Sequence, residues 1–495
     1  MMSTDRLVQQ AEFLLDQNRP AEALAVIQRV TAVSGAPSAA FTYHANALQA
    51  LGRGDEALPL ARRAVTIAPA SVSARHNLAA LQGDLGLCAE AEAAARQALD
   101  LGGDAPETWL VLGRALQGQN RFDEAEAAFR AAAARRPGDV DALRDLAHLI
   151  WMRTADLDAA TVELDAAIAR TPAHEALRAA KARLQEYAGA AQAGYATLAT
   201  GLLSPAGHLA AARLALQFDP AKAMHHVRQA GAQGRHAAHP VRLAMAECHI
   251  ALGEPGEALE QISHLREATP LDQYVLALQA TAMRMLDEPG YRALYDYQAL
   301  VRPAVIDTPE GWPDLAAYLA DLQTALVELH GLKTHPVGQS LRGGSQTSSS
   351  LRTSDHPAIQ AFFQAIDGPI RRYLAALGPG DDPLRSRNTG DYRIAGCWSV
   401  RLQPNGFHAD HVHPQGWLSS AFYIQLPATL DDGDRQGWIK FGEPPLRTPA
   451  GLPAEHAVRP EPGTLVLFPS YMWHGTVPFS GEDTRLTIAF DVVPA

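Results

Sequence analysis

The sequence predicts a multidomain α + β protein, in which an all-α helical solenoid precedes an antiparallel β jelly roll. Two observations predict this fold class. The first half repeats an acidic residue followed by alanine at a constant spacing, whereas the last hundred residues form short β-branched or aromatic runs separated by proline and glycine. A chain of 495 residues is also too long for one hydrophobic core, so several domains are expected.

The repeating unit of the first half is 34 residues long, and the pairs that define it are Glu22-Ala23, Glu56-Ala57, Glu90-Ala91, Glu124-Ala125 and Asp158-Ala159. The repeat that begins near Pro106 resembles the tetratricopeptide repeat, a helix-turn-helix unit of this period, through Trp109, Leu112-Gly113, Ala125, Phe129, Ala132 and Pro137. Small residues let the two helices approach closely, and proline ends the second helix. We therefore predict a tetratricopeptide-repeat domain at residues 1–285. By analogy of fold, it implies a peptide or protein as partner.

The chain changes character after this domain. Residues 286–390 are predicted to be a helical and loop lead-in that packs on the barrel, and residues 391–495 are predicted to be its core. A polar run at 339–350, which contains Gly343-Gly344 and several serines, is typical either of a flexible linker or of a loop over the mouth of the site. Arg342 and Gln346 within this run favour the loop.

The charge and the cysteines exclude several classes of function. A net charge of −12 gives no reason to expect nucleic acid or an anionic membrane as partner, and no apolar run is long enough to span a bilayer. The three cysteines, Cys88, Cys248 and Cys397, are widely spaced and odd in number. Neither a disulfide framework nor a CxxC zinc site fits them, so we expect a reducing, cytoplasmic location.

Histidine is concentrated at two places beside the predicted strands. The first place, just before the strand at 421–426, holds His408, Asp410, His411 and His413, and the second holds His474, just after the strand at 464–468. Arg485 follows His474 by eleven residues, at the start of the last strand. Imidazole and carboxylate groups are typical metal ligands, so these residues are candidates for a metal site.

This arrangement resembles the 2-oxoglutarate- and Fe(II)-dependent oxygenase superfamily, whose core is a double-stranded β-helix of the cupin type. The resemblance covers roughly residues 290–495. It implies Fe(II), 2-oxoglutarate as co-substrate and O₂. It also implies a basic residue that pairs with the distant carboxylate of 2-oxoglutarate. Arg485 is the candidate for that role, with Tyr423 as a second residue in co-substrate binding.

The resemblance leaves two assignments of the metal ligands open. In the superfamily pattern, His408 and Asp410 form a His-x-Asp pair, with His474 as third ligand. A bacterial and phage subfamily, often joined to tetratricopeptide repeats, is similar through His411-Val412-His413-Pro414 and Phe468-Pro469-Ser470, and there His411 and His413 take these positions. We favour the second assignment, in which Asp410 is a candidate to orient one of the rings.

The function that the resemblance implies is a dioxygenase that hydroxylates a peptide, a protein or a small molecule presented by the repeats. Two alternatives remain open at this point. One is a cupin-like metalloenzyme that does not use 2-oxoglutarate, and the other is a repeat-based interaction scaffold with an inactive barrel.

Overall fold

The computed structural model describes residues 3–233, 238–428, 430, 433–449 and 451–495 of the chain. The chain divides into two units, Met1–Leu149 and Ile150–Ala495. The second unit contains the later helices and the described strands together. The domain boundaries that the sequence predicts at residues 285 and 390 stay predictions.

The first unit consists of helical hairpins, and between residues 4 and 135 each helix packs against its neighbour in the chain. Its helices are α1 (Thr4–Asp16), α2 (Pro20–Thr31), α3 (Ser38–Ala50), α4 (Gly54–Ile67), α5 (Val72–Asp84), α6 (Cys88–Asp100), α7 (Pro106–Gly118), α8 (Phe122–Arg135) and α9 (Val140–Thr154), which crosses the unit boundary. The predicted helical repeat is therefore confirmed in this part of the chain.

Small side chains allow the helices of a hairpin to approach closely. Ala125 and Ala132 are fully buried on α8. Phe129 lies between them on the same face of α8 and covers Gly113 of α7, where an added Cβ would meet the Phe129 ring at 2.5 Å. The glycine of the repeat motif is thus required by the ring that packs on it.

The turn inside each hairpin depends on a residue with positive φ. Asn18, Gly52, Gly86 and Asn120 occupy this position, with φ of 53°, 73°, 76° and 60°. Each lies 34 residues after the previous one. Glycine and asparagine adopt this conformation at the least steric cost, so the turn sets the repeat period as much as the buried alanines do.

The second unit continues with hairpins and then with isolated helices. Its helices are α10 (Leu157–Arg170), α11 (Glu175–Tyr187), α12 (Ala191–Leu198), α13 (Pro205–Leu216), α14 (Pro220–Gln233), α15 (Ala238–Leu252), α16 (Pro255–Ala268), α17 (Gln273–Met285), α18 (Gly290–Leu294), α19 (Tyr297–Leu300), α20 (Leu315–Val327) and α21 (Pro357–Leu377). None of the described helices combines the length and the apolar character needed to cross a membrane.

Two antiparallel sheets form the C-terminal part. The six-stranded sheet has the order β1-β7-β4-β9-β3-β2, and the three-stranded sheet has the order β6-β5-β8. The strands are β1 (Arg302–Val305), β2 (Leu341–Gln346), β3 (Tyr392–His408), β4 (Leu418–Gln425), β5 (Ile439–Phe441), β6 (His456–Val458), β7 (Thr464–Pro469), β8 (His474–Thr476) and β9 (Arg485–Pro494). The antiparallel β architecture expected of a jelly roll is thus confirmed, with each predicted strand in place.

Helix α21 covers the outer face of the larger sheet. Phe362 of α21 lies 5.1 Å from the ring of Phe422 on β4 and 5.9 Å from that of Phe490 on β9. Since side chains alternate along a strand, Tyr423 points to the opposite, inner face.

Part of the polar run at 339–350 is a β-strand, and this part is neither a linker nor a loop. Residues 341–346 form β2, which pairs with β3 through Leu341 and His408 at one end and Gln346 and Val400 at the other. The interpretation of residues 341–346 as irregular chain was therefore wrong. The glycines that suggested a loop are needed because the register shifts between Arg342 and Gly344, and a Cβ on Gly344 would meet the Arg401 carbonyl oxygen at 2.4 Å.

Helix α17 packs directly on the turn before β8. The indole nitrogen of Trp473 donates to Oγ1 of Thr281 at 2.8 Å. The hydroxyl of Tyr295 also contacts this turn. It accepts from the Trp473 amide and donates to the Tyr471 carbonyl oxygen, both at 2.9 Å. The turn that leads into His474 is thereby held by buried groups from the helical part of the same unit.

Candidate metal centre

Three histidines meet where the two sheets face each other. His474 begins β8, and His411 forms a two-residue bridge with it, in which each amide donates to the other's carbonyl oxygen at 2.9 and 3.1 Å. The His413 amide donates to the carbonyl oxygen of Ser470 at 3.0 Å. Backbone hydrogen bonds therefore fix the positions from which the three side chains extend.

One ring nitrogen from each of His411, His413 and His474 lies within 4.8 Å of the others, so the group could hold a metal ion. The Nε2 atoms of His411 and His413 are 3.1 Å apart. Two ligands at right angles, each about 2.1 Å from a metal, would be about 3.0 Å apart. This spacing fits two adjacent positions of an octahedral ion.

The other nitrogen of each ring has an acceptor. Nδ1 of His411 lies 2.8 Å from the carbonyl oxygen of Ala409, and Nδ1 of His474 lies 2.9 Å from that of Met472. Nδ1 of His413 lies 2.5 Å from Oδ1 of Asp491. If Nδ1 carries the proton in each ring, the Nε2 lone pairs face the common centre. The contact between two such lone pairs in His411 and His413 is unfavourable without a cation between them, so the donor set fits a metal.

Burial favours the neutral, metal-binding form of two of the rings, His411 and His474. His474 is 6% exposed. Desolvation, with a smaller contribution from His413, lowers the pKa of His411 to about 3. Desolvation also lowers the pKa of His474 well below its ordinary value. At neutral pH no proton competes for these two Nε2 atoms.

Asp491 orients His413, and this residue was not predicted. Its Oδ1 also accepts from Oγ of Ser419 at 3.0 Å, and Ser419 is 2.9 Å from Oγ of Ser470. Asp491 lies six residues after Arg485 on β9, so both face the same side of the strand. That even spacing was the one signal in the sequence that could have identified it.

His408 and Asp410 lie outside the group of three. Oδ2 of Asp410 forms an ion pair with Nζ of Lys440 at 2.9 Å. Burial raises the pKa of Asp410 to about 6, against the opposite effect of Lys440. The role of orienting a ring, considered for Asp410, falls to Asp491 instead. His408 Nδ1 is 3.0 Å from Oγ of Ser340, and its ring is nearly parallel to that of His411.

Arg485 places a buried positive charge beside Tyr423. It is 2% exposed, and its guanidinium carbon lies 5.1 Å from the centre of the Tyr423 ring. Within the described part of the chain, Nε and Nη1 of Arg485 and the Tyr423 hydroxyl have no hydrogen-bond partner. A buried guanidinium without an acceptor is costly, and a carboxylate would satisfy it with two parallel hydrogen bonds. Arg485 and Tyr423 therefore fit an anionic ligand.

A cavity of about 820 Å³ joins these groups. The barrel contributes the three histidines, His408, Asp410, Trp398 and alternate residues of β9, namely Arg485, Thr487, Ala489 and Asp491. Helices α11, α13, α15 and α17 of the same unit contribute Glu186, Tyr187, Arg213, Leu216, Gln217, Glu247 and Tyr274. The metal centre thus opens onto a wall made by the helical repeats.

Comparisons with known proteins agree with this architecture. The model of the family described as "Putative 2OG-Fe(II) oxygenase" matches residues 396–491. Three tetratricopeptide-repeat models match residues 8–72, 106–149 and 214–282. No curated protein is detectably similar to the chain.

Several solved structures are similar to parts of the chain. A tetratricopeptide repeat protein from Parabacteroides merdae is 16% identical over 49% of this chain and 98% of its own, with a TM-score of 0.35. MamA from Desulfovibrio magneticus RS-1 is 15% identical over 35% and 99%, with a TM-score of 0.32. Human IFIT1 is 16% identical over 60% and 72%, with a TM-score of 0.36. The family models are the more informative result: the chain carries tetratricopeptide repeats and, at residues 396–491, a domain of the 2OG-Fe(II) oxygenase family.

Proposed function

We propose that the protein is an Fe(II)- and 2-oxoglutarate-dependent dioxygenase. The Nε2 atoms of His411, His413 and His474 would hold the iron, and Arg485 would bind the distant carboxylate of 2-oxoglutarate, beside Tyr423. The observation that carries this proposal is the presence in one cavity of three converging imidazoles and a buried guanidinium whose Nε and Nη1 have no acceptor in the described part of the chain. The family match at residues 396–491 supports it.

The bound iron, with 2-oxoglutarate and O₂, supplies the oxidation of a C–H bond to C–OH, while 2-oxoglutarate becomes succinate and CO₂. The protein's own residues bind and orient. Three neutral imidazoles would occupy one face of the ion and leave the other positions open. Because no carboxylate is among these ligands, the centre would be more positive by one charge than a His-x-Asp site and would attract an anionic keto acid more strongly.

Neighbouring groups keep this arrangement in place. Asp491 holds the orientation of His413, and the Trp398 ring lies nearly parallel to the same imidazole, with ring centres 5.8 Å apart. Burial of the His474 ring would exclude water from its side of the metal. The helical wall would present the substrate, which we expect to be a peptide, a protein or a small molecule.

The test is anaerobic reconstitution with Fe(II), followed by optical titration with 2-oxoglutarate. We expect a weak visible metal-to-ligand band in the wild type and in Asp410→Asn, and its absence in His413→Ala. Loss of the band in Asp410→Asn would instead favour the His408 and Asp410 assignment. A metal-loaded wild type without any band would overturn the proposal.

One observation also favours a cupin-like metalloenzyme that does not use 2-oxoglutarate. The group of three contains histidine alone, without the carboxylate of an ordinary facial triad. Arg485 discriminates between the two functions, because only the dioxygenase needs its positive charge for the co-substrate. An activity that persists without 2-oxoglutarate and survives Arg485→Met would support the cupin-like function.

A further inference from the structure

The helical side of the cavity carries charges that the metal centre does not use. We call Glu186, Tyr187, Arg213, Gln217, Glu247 and Tyr274 the helical wall; they come from α11, α13, α15 and α17 and line the same cavity as the three histidines. A substrate that reaches the metal centre from the helices must lie against this wall. The charges that lack partners here therefore bear on the class of substrate.

Most of the charged groups that line the cavity are already compensated. Glu186 forms an ion pair with Arg213 at 2.9 Å and accepts from Gln217 at 2.9 Å. Arg342 donates to the carbonyl oxygens of Gln339 and Leu341, each at 2.8 Å. Asp410 pairs with Lys440, and Asp491 pairs with His413. Arg447 is exposed at the edge of the cavity, where water solvates it.

Glu247 is different. Its carboxylate accepts a hydrogen bond from the hydroxyl of Tyr274, but no basic side chain forms an ion pair with it in the described part of the chain. Burial raises the pKa of Glu247, against the opposite effects of the Tyr274 hydrogen bond and of Arg213, a guanidinium that forms its ion pair with Glu186. Two charged groups of the cavity therefore form no ion pair within the described part of the chain, Arg485 on the barrel and the half-buried Glu247 on the helical wall.

The position of Glu247 connects it with the metal centre. The ring of its partner Tyr274 packs edge-on against Trp473, with ring centres 5.7 Å apart, and Trp473 precedes His474 in the chain. Tyr274 thus connects Glu247 with the turn that carries a proposed metal ligand. A ligand group bound there would be anchored within the cavity that opens on the iron.

We propose that Glu247 binds a cationic group of the substrate, a primary amine or a guanidinium. This inference rests on the proposed function, since it assigns the anionic co-substrate to Arg485 and leaves Glu247 for the substrate. An ammonium or guanidinium would donate charge-assisted hydrogen bonds to the carboxylate and supply the ion pair that it does not form within the described part of the chain. The substrate class is therefore an organic cation, such as a lysine or arginine side chain.

The first experiment compares charged and neutral ligands of matched shape. Calorimetric titration of the full-length, Fe(II)-loaded protein with 2-oxoglutarate, under anaerobic conditions, would use Nα-acetyl-arginine amide against Nα-acetyl-citrulline amide and Nα-acetyl-lysine amide against Nα-acetyl-norleucine amide. We expect at least one cationic member to bind about ten-fold or more tightly than its neutral partner, because a hydrogen bond to a charged group contributes about that factor. Equal binding of both members in both pairs, or no binding of any cationic probe, would overturn the inference.

The second experiment assigns the preference to one residue. Glu247→Gln keeps the size of the side chain and the Tyr274 contact, and it should reduce the preference for the cation to near unity. Glu257→Gln, on the exposed first turn of α16, is the matched control and should leave it unchanged. A preference that persists in Glu247→Gln would overturn the assignment. The visible band of the keto acid, recorded in the same samples, tests the proposed function independently, because Glu247 has no part in binding iron or 2-oxoglutarate.

Discussion

Nδ1 of His413 lies 2.5 Å from Oδ1 of Asp491, a carboxylate that reaches the site from the last strand of the chain. The same oxygen accepts from Ser419, so the ring is oriented by a group that is itself held in place. In a three-histidine site, this carboxylate would act on the metal indirectly, by orienting a histidine, and not as a direct ligand. Such a partner fixes the tautomer and the orientation of a ligating ring.

Asp491→Ala should therefore weaken metal binding without removing a proposed ligand. We expect a loss of about 10- to 100-fold in Fe(II) affinity, the usual effect of removing a partner of a ligating histidine. Competition against a chromophoric chelator would measure it. Glu482→Ala, on an exposed turn of the same domain, is the control, and an unchanged affinity in Asp491→Ala would show that the contact does not support the metal.

Arg485→Met should separate binding from stability. Because Nε and Nη1 of the buried guanidinium have no acceptor in the described part of the chain, its replacement by an apolar side chain of similar length should leave the free energy of unfolding unchanged or raise it in the absence of ligand. The same variant should lose the rise in melting temperature that 2-oxoglutarate produces in the wild type. Thermal unfolding with and without the keto acid measures both. A strong destabilisation of the ligand-free variant would indicate a structural role for Arg485.

Tyr295→Phe should affect both the fold and the metal. The hydroxyl bonds the backbone on both sides of Met472, whose carbonyl oxygen accepts from Nδ1 of His474. Its loss leaves buried backbone groups unsatisfied and should lower the free energy of unfolding by about 1–3 kcal/mol, measured by chemical denaturation. We also expect weaker Fe(II) binding. A variant that is destabilised but binds iron normally would limit Tyr295 to a structural role.

Acid should destabilise the second unit through histidines that are buried in the neutral form. Desolvation lowers the pKa of His330 to about 4, and both of its ring nitrogens contact serine hydroxyls, at 2.9 and 3.1 Å. The unfolded chain takes up this proton at about pH 6.5 and the folded chain only near 4, so stability is lost as the pH falls through that interval. His330→Gln should flatten this dependence in denaturant titrations between pH 7 and 4. His264→Gln, at an exposed histidine, should leave the dependence as it is in the wild type.

Two glycines of the repeats should respond in opposite directions to alanine. Gly113→Ala forces a Cβ against the Phe129 ring and should cost about 1–3 kcal/mol. Gly83→Ala, in α5, meets nothing within 4 Å and should stabilise the helix by about 0.5–1 kcal/mol. Denaturant unfolding of both variants measures the difference. Equal effects would show that the close approach of α7 and α8 is not required.

Local patterns predicted much of the fold. The 34-residue period appears as helical hairpins, because both the buried alanines and the left-handed turn residues recur at that interval. The strands were visible as short apolar runs between turns. The polar segment at 341–346 was misread, because its glycines serve a register shift in an edge strand, and sequence composition does not separate that use from a loop.

The candidate site was predictable only in part. The three histidines come together in the structure, and Arg485 lines the same cavity, although their roles stay predictions. The orienting carboxylate Asp491 and the wall residue Glu247 were missed. Each acts through a contact with a residue distant in the chain. Such contacts produce little local pattern in a single sequence.

The hydrogen bond between Trp473 and Thr281 has a consequence for how such proteins can be rearranged. A fragment that began at residue 286 would lose Thr281, leave the indole of Trp473 uncovered, and remove a side of the cavity. We expect it to be insoluble or unable to retain iron. The barrel therefore cannot be moved between repeat arrays as an independent domain. Recombination that preserves the proposed activity would have to include the preceding helices.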